Sequence, residues 1–457
     1  MGSDWEKIRL GDVAEWSSGG TPPKSKSEFW GGSIPWISAS SMNGNRYSNS
    51  EHKVTILGLK NGTRLAPKDS LLLLVRGSIL HQKIQVGIAE KDVAFNQDVK
   101  ALKVLSEIIE PWYLLFWFMS KKPELLCLVE NTGIGAGKLD TKILQDLIVE
   151  IPPRIERNRI QAFLKALDDK IELNRQMNAT LESMAQALFK SWFVDFDPVI
   201  DKALATGNPI PEPLQKRATA RQELGENHKS LPKDISQLFP CRFVFTEELG
   251  WVPEGWVVKS VENALEINPK ISLKKDKVAP FADMKALPTS GYEVIEVIKK
   301  PYRGGAKFLQ GDVLFARITP CLENGKTGIV DFLEGPEVGF GSTEFIVLRG
   351  RENIKAAFVA CLARHAPFRS HCELGMVGSS GRQRVQNSSL GDYYLSLPTD
   401  EHILNEFDRL SSTSFQRMTL NKEESISVTS LRNTLLPKLL SGELRIPEFE
   451  KLLQEAL

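Results

Sequence analysis

The feature that most constrains this chain is an internal repeat relating its two halves. The stretch "KDSLLLLVRGSI" (Lys68–Ile79) resembles "QGDVLFARITP" (Gln310–Pro320). Residue pairs recur in the same order at offsets of 241 to 247: Arg76 with Arg317, Gly87 with Gly328, Pro152 with Pro398 and Asn174 with Asn421. Such regular spacing indicates a tandem duplication, so we expect two similar folded domains.

Each half contains short β-type runs punctuated by Gly, Pro, Asn and Ser, then a short apolar helix. Strands are predicted at Ser70–Val75, Val313–Ala316 and Glu344–Leu348, and the apolar helices near residues 112–119 and 354–362. A long helix closes each half. The predicted class is therefore α+β: two tandem-repeat mixed α/β globules, related by a pseudo-two-fold and separated by two long antiparallel coiled-coil helices.

The domain boundaries follow from this order of elements. The globules are predicted at residues 1–152 and 251–398, and the long helices at 153–194 and 399–436. Residues 195–250 are rich in proline, glycine and charge, which predicts an exposed connector with one short helix near 215–224. Residues 437–457 are predicted to form a C-terminal tail, because Pro437 should end the second helix.

The two long helices carry narrow apolar stripes at heptad spacing, as in a coiled-coil seam. The predicted contacts between them are Leu164, Leu167, Ile171, Asn174, Leu181 and Leu188 on the first helix, and Phe407, Leu410, Asn421, Val428, Leu431 and Leu435 on the second. Asparagines in a seam cost stability but fix register, which is one interpretation of Asn174 and Asn421. The alternative is that they face solvent or a third protein.

Composition places the chain among soluble globular proteins, with 42% hydrophobic and 25% charged residues. The formal net charge of +1 does not indicate nucleic acid, so any DNA-binding charge must be local or shared with partners. The five scattered cysteines do not suggest a disulfide framework, and neither a signal peptide nor a membrane span is evident. We therefore expect a cytoplasmic protein without a membrane partner.

Several phrases resemble the specificity subunits of type I restriction–modification enzymes. They are "WEKIRLGDVAEWSSGGTP", "IPWIS", "FKSWFVDFDPV", "LGWVPEGW" and "LLPKLLSGELRI", and the resemblance spans essentially the whole chain. It implies two target-recognition domains that read the halves of a split DNA site, with the helices acting as a ruler. It also implies partners: double-stranded DNA, two methyltransferase subunits using S-adenosylmethionine, and a restriction/translocase subunit using ATP and Mg²⁺.

DNA contacts require Lys, Arg and small polar side chains in loops or at strand ends. The candidates are Thr21, Lys24, Ser38, Arg46, Arg76 and Lys138 in the first half, and Arg303, Lys307, Arg317, Arg382 and Arg384 in the second. A solvated surface charge is the alternative for each cation. For Arg76 and Arg317, which end equivalent strands, a structural role is equally compatible with the sequence.

The chain shows no convincing catalytic motif, so we expect a non-enzyme without a cofactor of its own. "GIGAGKL" fails the phosphate-loop pattern, because Thr132 stands six residues before Lys138 and Leu139 follows it. Cys361, His365, His371 and Cys372 lack a CxxC pair, which favours buried cysteines and surface histidines over zinc. The alternative function is a coiled-coil scaffold whose globules bind proteins rather than DNA.

Overall fold

The computed structural model describes residues 5–132, 135–225, 231–379 and 381–446, which fall into two compact units. Unit 1 comprises Met1–Glu172 and Ser425–Leu457, and unit 2 comprises Leu173–Glu424. Each unit therefore contains one globule and half of each long helix. Within the described residues, no helix is both long enough and apolar enough to cross a bilayer.

Unit 1 has many short strands, as its turn-rich sequence predicts. The strands are β1 (Glu6–Arg9), β2 (Ala14–Ser18), β3 (Trp30–Ile37), β4 (Arg46–Tyr47), β5 (Lys53–Val54), β6 (Arg64–Ala66), β7 (Leu71–Leu74), β8 (Arg76–Gly77), β9 (Val86–Ala89), β10 (Val93–Phe95), β11 (Val99–Val104), β12 (Glu130–Asn131), β13 (Gly137–Lys138) and β14 (Ile148–Ile151). The helices are α1 (Ile56–Lys60), α2 (Pro111–Ser120), α3 (Lys122–Cys127), α4 (Thr141–Asp146) and the start of α5 (Arg154–Phe193).

Unit 2 repeats this mixture of elements. Its strands are β15 (Phe243–Thr246), β16 (Gly250–Pro253), β17 (Trp256–Ser260), β18 (Leu265–Ile267), β19 (Val278–Ala282), β20 (Ile298–Pro301), β21 (Ala306–Phe308), β22 (Val313–Ala316), β23 (Thr327–Ile329), β24 (Gly339–Gly341), β25 (Phe345–Gly350), β26 (Met376–Val377), β27 (Arg384–Val385) and β28 (Tyr394–Pro398). Its helices are α6 (Asp197–Thr206), α7 (Glu212–Glu223), α8 (Lys233–Leu238), α9 (Val261–Ala264), α10 (Ala356–Arg364), α11 (Ala366–Leu374), α12 (Asn387–Gly391) and the start of α13 (Glu401–Leu440).

The central sheets confirm the tandem repeat. Unit 1 contains the order β2-β11-β7-β9, and unit 2 contains the matching order β18-β25-β22-β23. Leu73 faces Lys100 across the β7–β11 ladder, and its counterpart Leu314 faces Val347. All four leucines of β7 are fully buried, because other strands flank the strand and core side chains, including those of α2, cover it. A continuous apolar run is typical of such a central strand.

The long helices α5 and α13 pack together and run antiparallel, as predicted. In unit 1, Ile160 and Leu164 of α5 join one core with Leu435 and Leu439 of α13. In unit 2, the rings of Phe189 and Phe407 lie 6.3 Å apart. Early residues of α5 thus meet late residues of α13, and late residues of α5 meet early ones.

The predicted seam residues differ in burial. Asn174 and Asn421 are buried in unit 2, where the Asn174 amide donates to the Asn421 carbonyl at 3.2 Å. The half-buried set is Leu167, Ile171, Leu181, Leu188, Leu410 and Val428. Leu431 is 44% exposed, so this predicted contact is not buried, although Leu435 further along α13 is.

Two boundaries differ from the sequence prediction. In its described residues, the segment predicted as an exposed connector contains α6, α7, α8 and β15, and Phe196, Val199 and Phe239 lie in the core of unit 2. Helix α13 also continues through Pro437 to Leu440. The burial of Leu439 and Leu440 in unit 1 offsets the hydrogen bond that proline cannot make. Of the predicted C-terminal tail, residues 447–457 lie outside the described part of the chain.

Candidate nucleic-acid interface

In unit 1, two of the predicted DNA-contacting cations lie side by side on a small three-stranded sheet. The strand order is β12-β13-β8, and the register places Arg76 directly opposite Lys138. Arg76 is exposed, whereas Lys138 is half-buried with its ammonium 3.3 Å from the Asp140 carboxylate. Hydrogen bonds from the Lys142 backbone and from Lys138 lower the pKa of Asp140, which also caps α4. The neighbouring Gly133 and Ile134 lie outside the described residues.

Unit 2 forms a similar ladder, but its register pairs Arg384 with Ile318, so Arg317 lies opposite Val385. Strand β27 pairs with β26 on one side and with residues 317–319 on the other, where the Val385 amide donates to the Arg317 carbonyl at 2.9 Å. The Arg317 guanidinium donates to the Val385 carbonyl at 2.9 Å. Arg384 binds Glu344 through two guanidinium nitrogens at 2.6–3.0 Å, and this pairing raises the pKa of Arg384. Arg382, two residues earlier, is exposed.

The structure gives Arg46 a role inside unit 1 rather than on an open surface. Its guanidinium donates to Asp168 at 2.7 and 2.8 Å and to Asp169 at 2.7 Å, and it lies 4.7 Å from the Trp112 ring centroid. Its side chain is only 12% exposed. This geometry connects β4 to α5 and argues against the predicted DNA contact, because the guanidinium is already occupied.

The remaining predicted DNA-contacting residues of unit 1 lie in loops near the sheet with strand order β5-β3-β10-β6. Thr21 donates to the Gln97 side chain at 2.7 Å, and the Ser38 hydroxyl lies 3.0 Å from that of Ser40. Lys24 is exposed. The Trp36 indole donates to the Gly20 carbonyl at 3.0 Å, which holds the first loop against β3. These residues therefore lie on a surface separate from the β8–β13 ladder in the strand topology.

The family emerges when this duplicated architecture is compared with known proteins. A family described as "Type I restriction modification DNA specificity domain" matches residues 2–183. The MjaIX specificity subunit of Methanocaldococcus jannaschii is 24% identical, over 97% of this chain and 94% of that protein. The HindI specificity subunit of Haemophilus influenzae is 23% identical, over 97% and 100%.

Residues 2–183 thus match a type I specificity domain, and nearly the whole chain is similar to type I specificity subunits. The solved S subunit from M. genitalium covers 95% of this chain and 96% of its own, with 13% identity and a TM-score of 0.47. The phrase "FVDFDPV", which carried part of the resemblance, lies at the start of α6. There Asp197 is buried and binds Arg217 at 2.7 Å and Arg221 at 3.1 Å. Burial alone would raise the pKa of Asp197, but these partners lower it.

Unit 2 has a basic edge, of which the sequence analysis predicted only Arg303 and Lys307. Predicted Arg303 lies 3.5 Å from Asp276, and Lys307 lies over the Tyr302 ring at 5.9 Å. The β19–β20 ladder brings the loop before β19 next to the loop after β20, so exposed lysines join these two: Lys274, Lys275, Lys277 and Lys299. The run "KKDK" was the available signal.

The cysteines and histidines singled out in the sequence pack within unit 2. The described residues contain no group of three or more His, Cys, Asp or Glu side chains that could hold a metal ion. The His371 ring lies 2.7 Å from the Ser389 carbonyl, and His365 packs on Phe189. Burial raises the pKa of Cys372 to about 12. Both cysteines are buried as predicted, but His365 is buried too, so the prediction of surface histidines is wrong for that residue.

Proposed function

We propose that this specificity subunit is non-catalytic and reads a split, asymmetric DNA site. Each globule contacts one half-site, and the long helices set the separation and dock two methyltransferase subunits, with a restriction/translocase subunit in the larger complex. S-adenosylmethionine, ATP and Mg²⁺ belong to those partners. The observation that carries this proposal is the duplicated ladder, which places Arg76 opposite Lys138 in unit 1 and Arg317 opposite Val385, next to Arg384, in unit 2.

Differences between the ladders support an asymmetric target. Unit 1 presents an exposed Arg76, whereas the counterpart Arg317 bonds to a backbone carbonyl. Arg384 is bound by Glu344, which leaves Arg382 as the exposed cation of its loop. Arginine reads guanine through a bidentate contact, and different placements of such side chains select different bases. The exposed lysines of the basic edge suit phosphate contacts.

Exposed apolar residues support the docking of two copies of one partner. On α5, Leu173 and Met184 are 51% and 59% exposed, and on α13 Leu420 and Leu431 are 55% and 44% exposed. Leu420 is the repeat counterpart of Leu173, and Leu431 is that of Met184, each 247 residues later. An interval of eleven residues returns to nearly the same helix face. Apolar side chains exposed at equivalent positions fit two equivalent docking sites.

Sequencing of modified adenines tests the DNA-reading role. The chain would be co-expressed with its methyltransferase in a host lacking other type I systems. We expect the modified sequence to be a split motif. Arg76→Ala should lose base discrimination in one half-site, and Arg382→Ala in the other. Each substitution should weaken DNA binding by about 1–3 kcal/mol. Arg409→Ala, which removes an exposed cation on α13, is the matched control. DNA methylation by the purified chain alone would contradict the non-catalytic role.

Docking is tested by the stoichiometry of the purified complex. Leu173→Asp with Leu420→Asp should reduce the bound methyltransferase from two copies to fewer, as measured by light scattering after gel filtration. Ile155→Asp is the control, because Ile155 is 75% exposed but its repeat counterpart is the polar His402. Two bound copies in the double variant would exclude these residues as the docking site. Absence of DNA binding by the wild-type complex would favour the protein-binding scaffold.

A further inference from the structure

Arg46 and Glu293 occupy equivalent positions in the two units. Each lies two residues after a glycine with left-handed backbone, Gly44 at φ 75° and Gly291 at φ 73°. Each also pairs in parallel with the strand next to the central core strand: Arg46 with Ile88, and Glu293 with Ile329. The two side chains therefore leave their globules from one shared structural position, and they carry opposite charges.

In unit 1, this position reaches both long helices through a single carboxylate. Arg46 binds Asp168 of α5, and Arg432 of α13 donates to the same carboxylate at 2.7 Å. Asn45, the neighbour of Arg46, donates to it at 2.7 Å as well. The Asp168 side chain is 3% exposed and that of Arg432 is 12% exposed. We call Arg46, Asp168 and Arg432 the unit 1 junction, because they join the globule to both helices.

In unit 2, Glu293 accepts a hydrogen bond from the Asn178 amide of α5. The same amide donates to the Met418 carbonyl of α13 at 3.1 Å, and the Asn178 oxygen accepts from Asn421 at 2.8 Å. We call Glu293, Asn178 and Asn421 the unit 2 junction. The asparagines that interrupt the apolar stripes thus connect the globule to the helix pair.

Other charged groups surround Glu293. Lys422 of α13 donates to the Val294 carbonyl at 3.0 Å and lies 3.5 Å from Asp331 of the globule. From α5, Glu182 faces the same region and pairs with Arg364 at 2.7 Å. Asp408 of α13 lines the adjoining cavity of about 540 Å³. Burial, opposed by Lys422 but assisted by Asp331, raises the pKa of Glu293 to about 7.

We propose that Arg46 and Glu293 are positioning residues for DNA reading, which hold each globule on its helix pair and so restrict the half-site spacing that the subunit accepts. The inference rests on the proposed function. The charge at position 46 matters for the unit 1 junction, since a carboxylate there would face Asp168.

The first test measures spacing tolerance by adenine-methylation sequencing of the co-expressed system. Arg46→Ala should extend methylation to sites whose half-site spacing differs by one base pair, with about a tenfold loss of discrimination and unchanged bases. Arg46→Lys, which keeps the charge but not the two-pronged contact, should give an intermediate loss. The control variant Arg409→Ala should methylate only sites with the half-site spacing of the wild type. Unchanged spacing in Arg46→Ala, or altered base preference, would overturn the proposal.

The second test uses the near-isosteric Glu293→Gln, which keeps an acceptor for Asn178. The wild-type complex should discriminate spacings better at pH 6 than at pH 8, because burial, assisted by Asp331 and Glu182 and opposed by Lys422, disfavours the ionised form of Glu293. Comparing methylation of two duplexes that differ in spacing by one base pair cancels the methyltransferase's own pH dependence. In Glu293→Gln, the discrimination between spacings should not depend on pH. If it changed with pH in the same way in the variant and the wild type, the role of Glu293 would be refuted. A wild-type complex without a split motif would instead contradict the proposed function.

Discussion

Replacing Asp168 should destabilise unit 1 more than any surface substitution. The carboxylate accepts hydrogen bonds at 2.7–2.8 Å from Asn45, Arg46 and Arg432. Asp168→Ala leaves two largely buried guanidinium groups without this counter-ion, and breaking such a pair costs about 3–5 kcal/mol. Because Asp169 still binds Arg46 at 2.7 Å, we expect the lower end, about 3 kcal/mol.

Hydrogen exchange on the full chain provides the assay, because the two units need not unfold together. Amides in residues 160–172 and 428–440 should lose protection by about 100-fold, the equivalent of about 3 kcal/mol, while unit 2 keeps its protection. Lys121→Ala, which breaks an exposed pair with Glu124, should change protection by less than about fivefold. Combining Asp168→Ala with Arg432→Met should cost less than the sum of both. A loss below tenfold, or strict additivity, would refute the reasoning.

Three further perturbations follow from the same contacts. Inserting seven residues after Glu172 and seven after Glu424, at the unit boundaries, adds about 10 Å of helix and should lengthen the recognised spacer by about three base pairs in methylation sequencing. The pKa of Glu293 is raised to about 7, so the free energy of unfolding of the wild type should fall as the pH rises from 4.5 to about 7. Glu293→Gln should therefore stabilise unit 2 by about 1–2 kcal/mol at pH 8 and by little at pH 4, as measured by urea titration. Asp197→Ala should cost about 3 kcal/mol at pH 7, and the loss should shrink as acid protonates Asp197 through its lowered pKa.

Local patterns in the sequence predicted those helices and strands whose formation depends on residues that are adjacent in the sequence. The apolar run before Arg76 forms a buried strand, and the apolar stretch at 112–119 lies in α2. Both long helices appear within a few residues of their predicted bounds, because helical periodicity persists over many turns. The repeat also predicted that Arg76 and Arg317 would be equivalent, and that the loops around Lys138 and Arg384 would occupy equivalent places; the pairing of Arg76 with Lys138 came only from the fold.

By itself, the sequence determined the duplication, the α+β class and the antiparallel helix pair, since these follow from periodicity and from repeated order. Tertiary structure decided what each charge does. Arg46 was predicted to contact DNA because its partner Asp168, 122 residues away in the sequence, could not be recognised. The connector was predicted to be an exposed segment because the ion pair between Asp197 and Arg217 forms only in the folded protein. An ion pair depends on distance in space, which spacing along the chain does not encode.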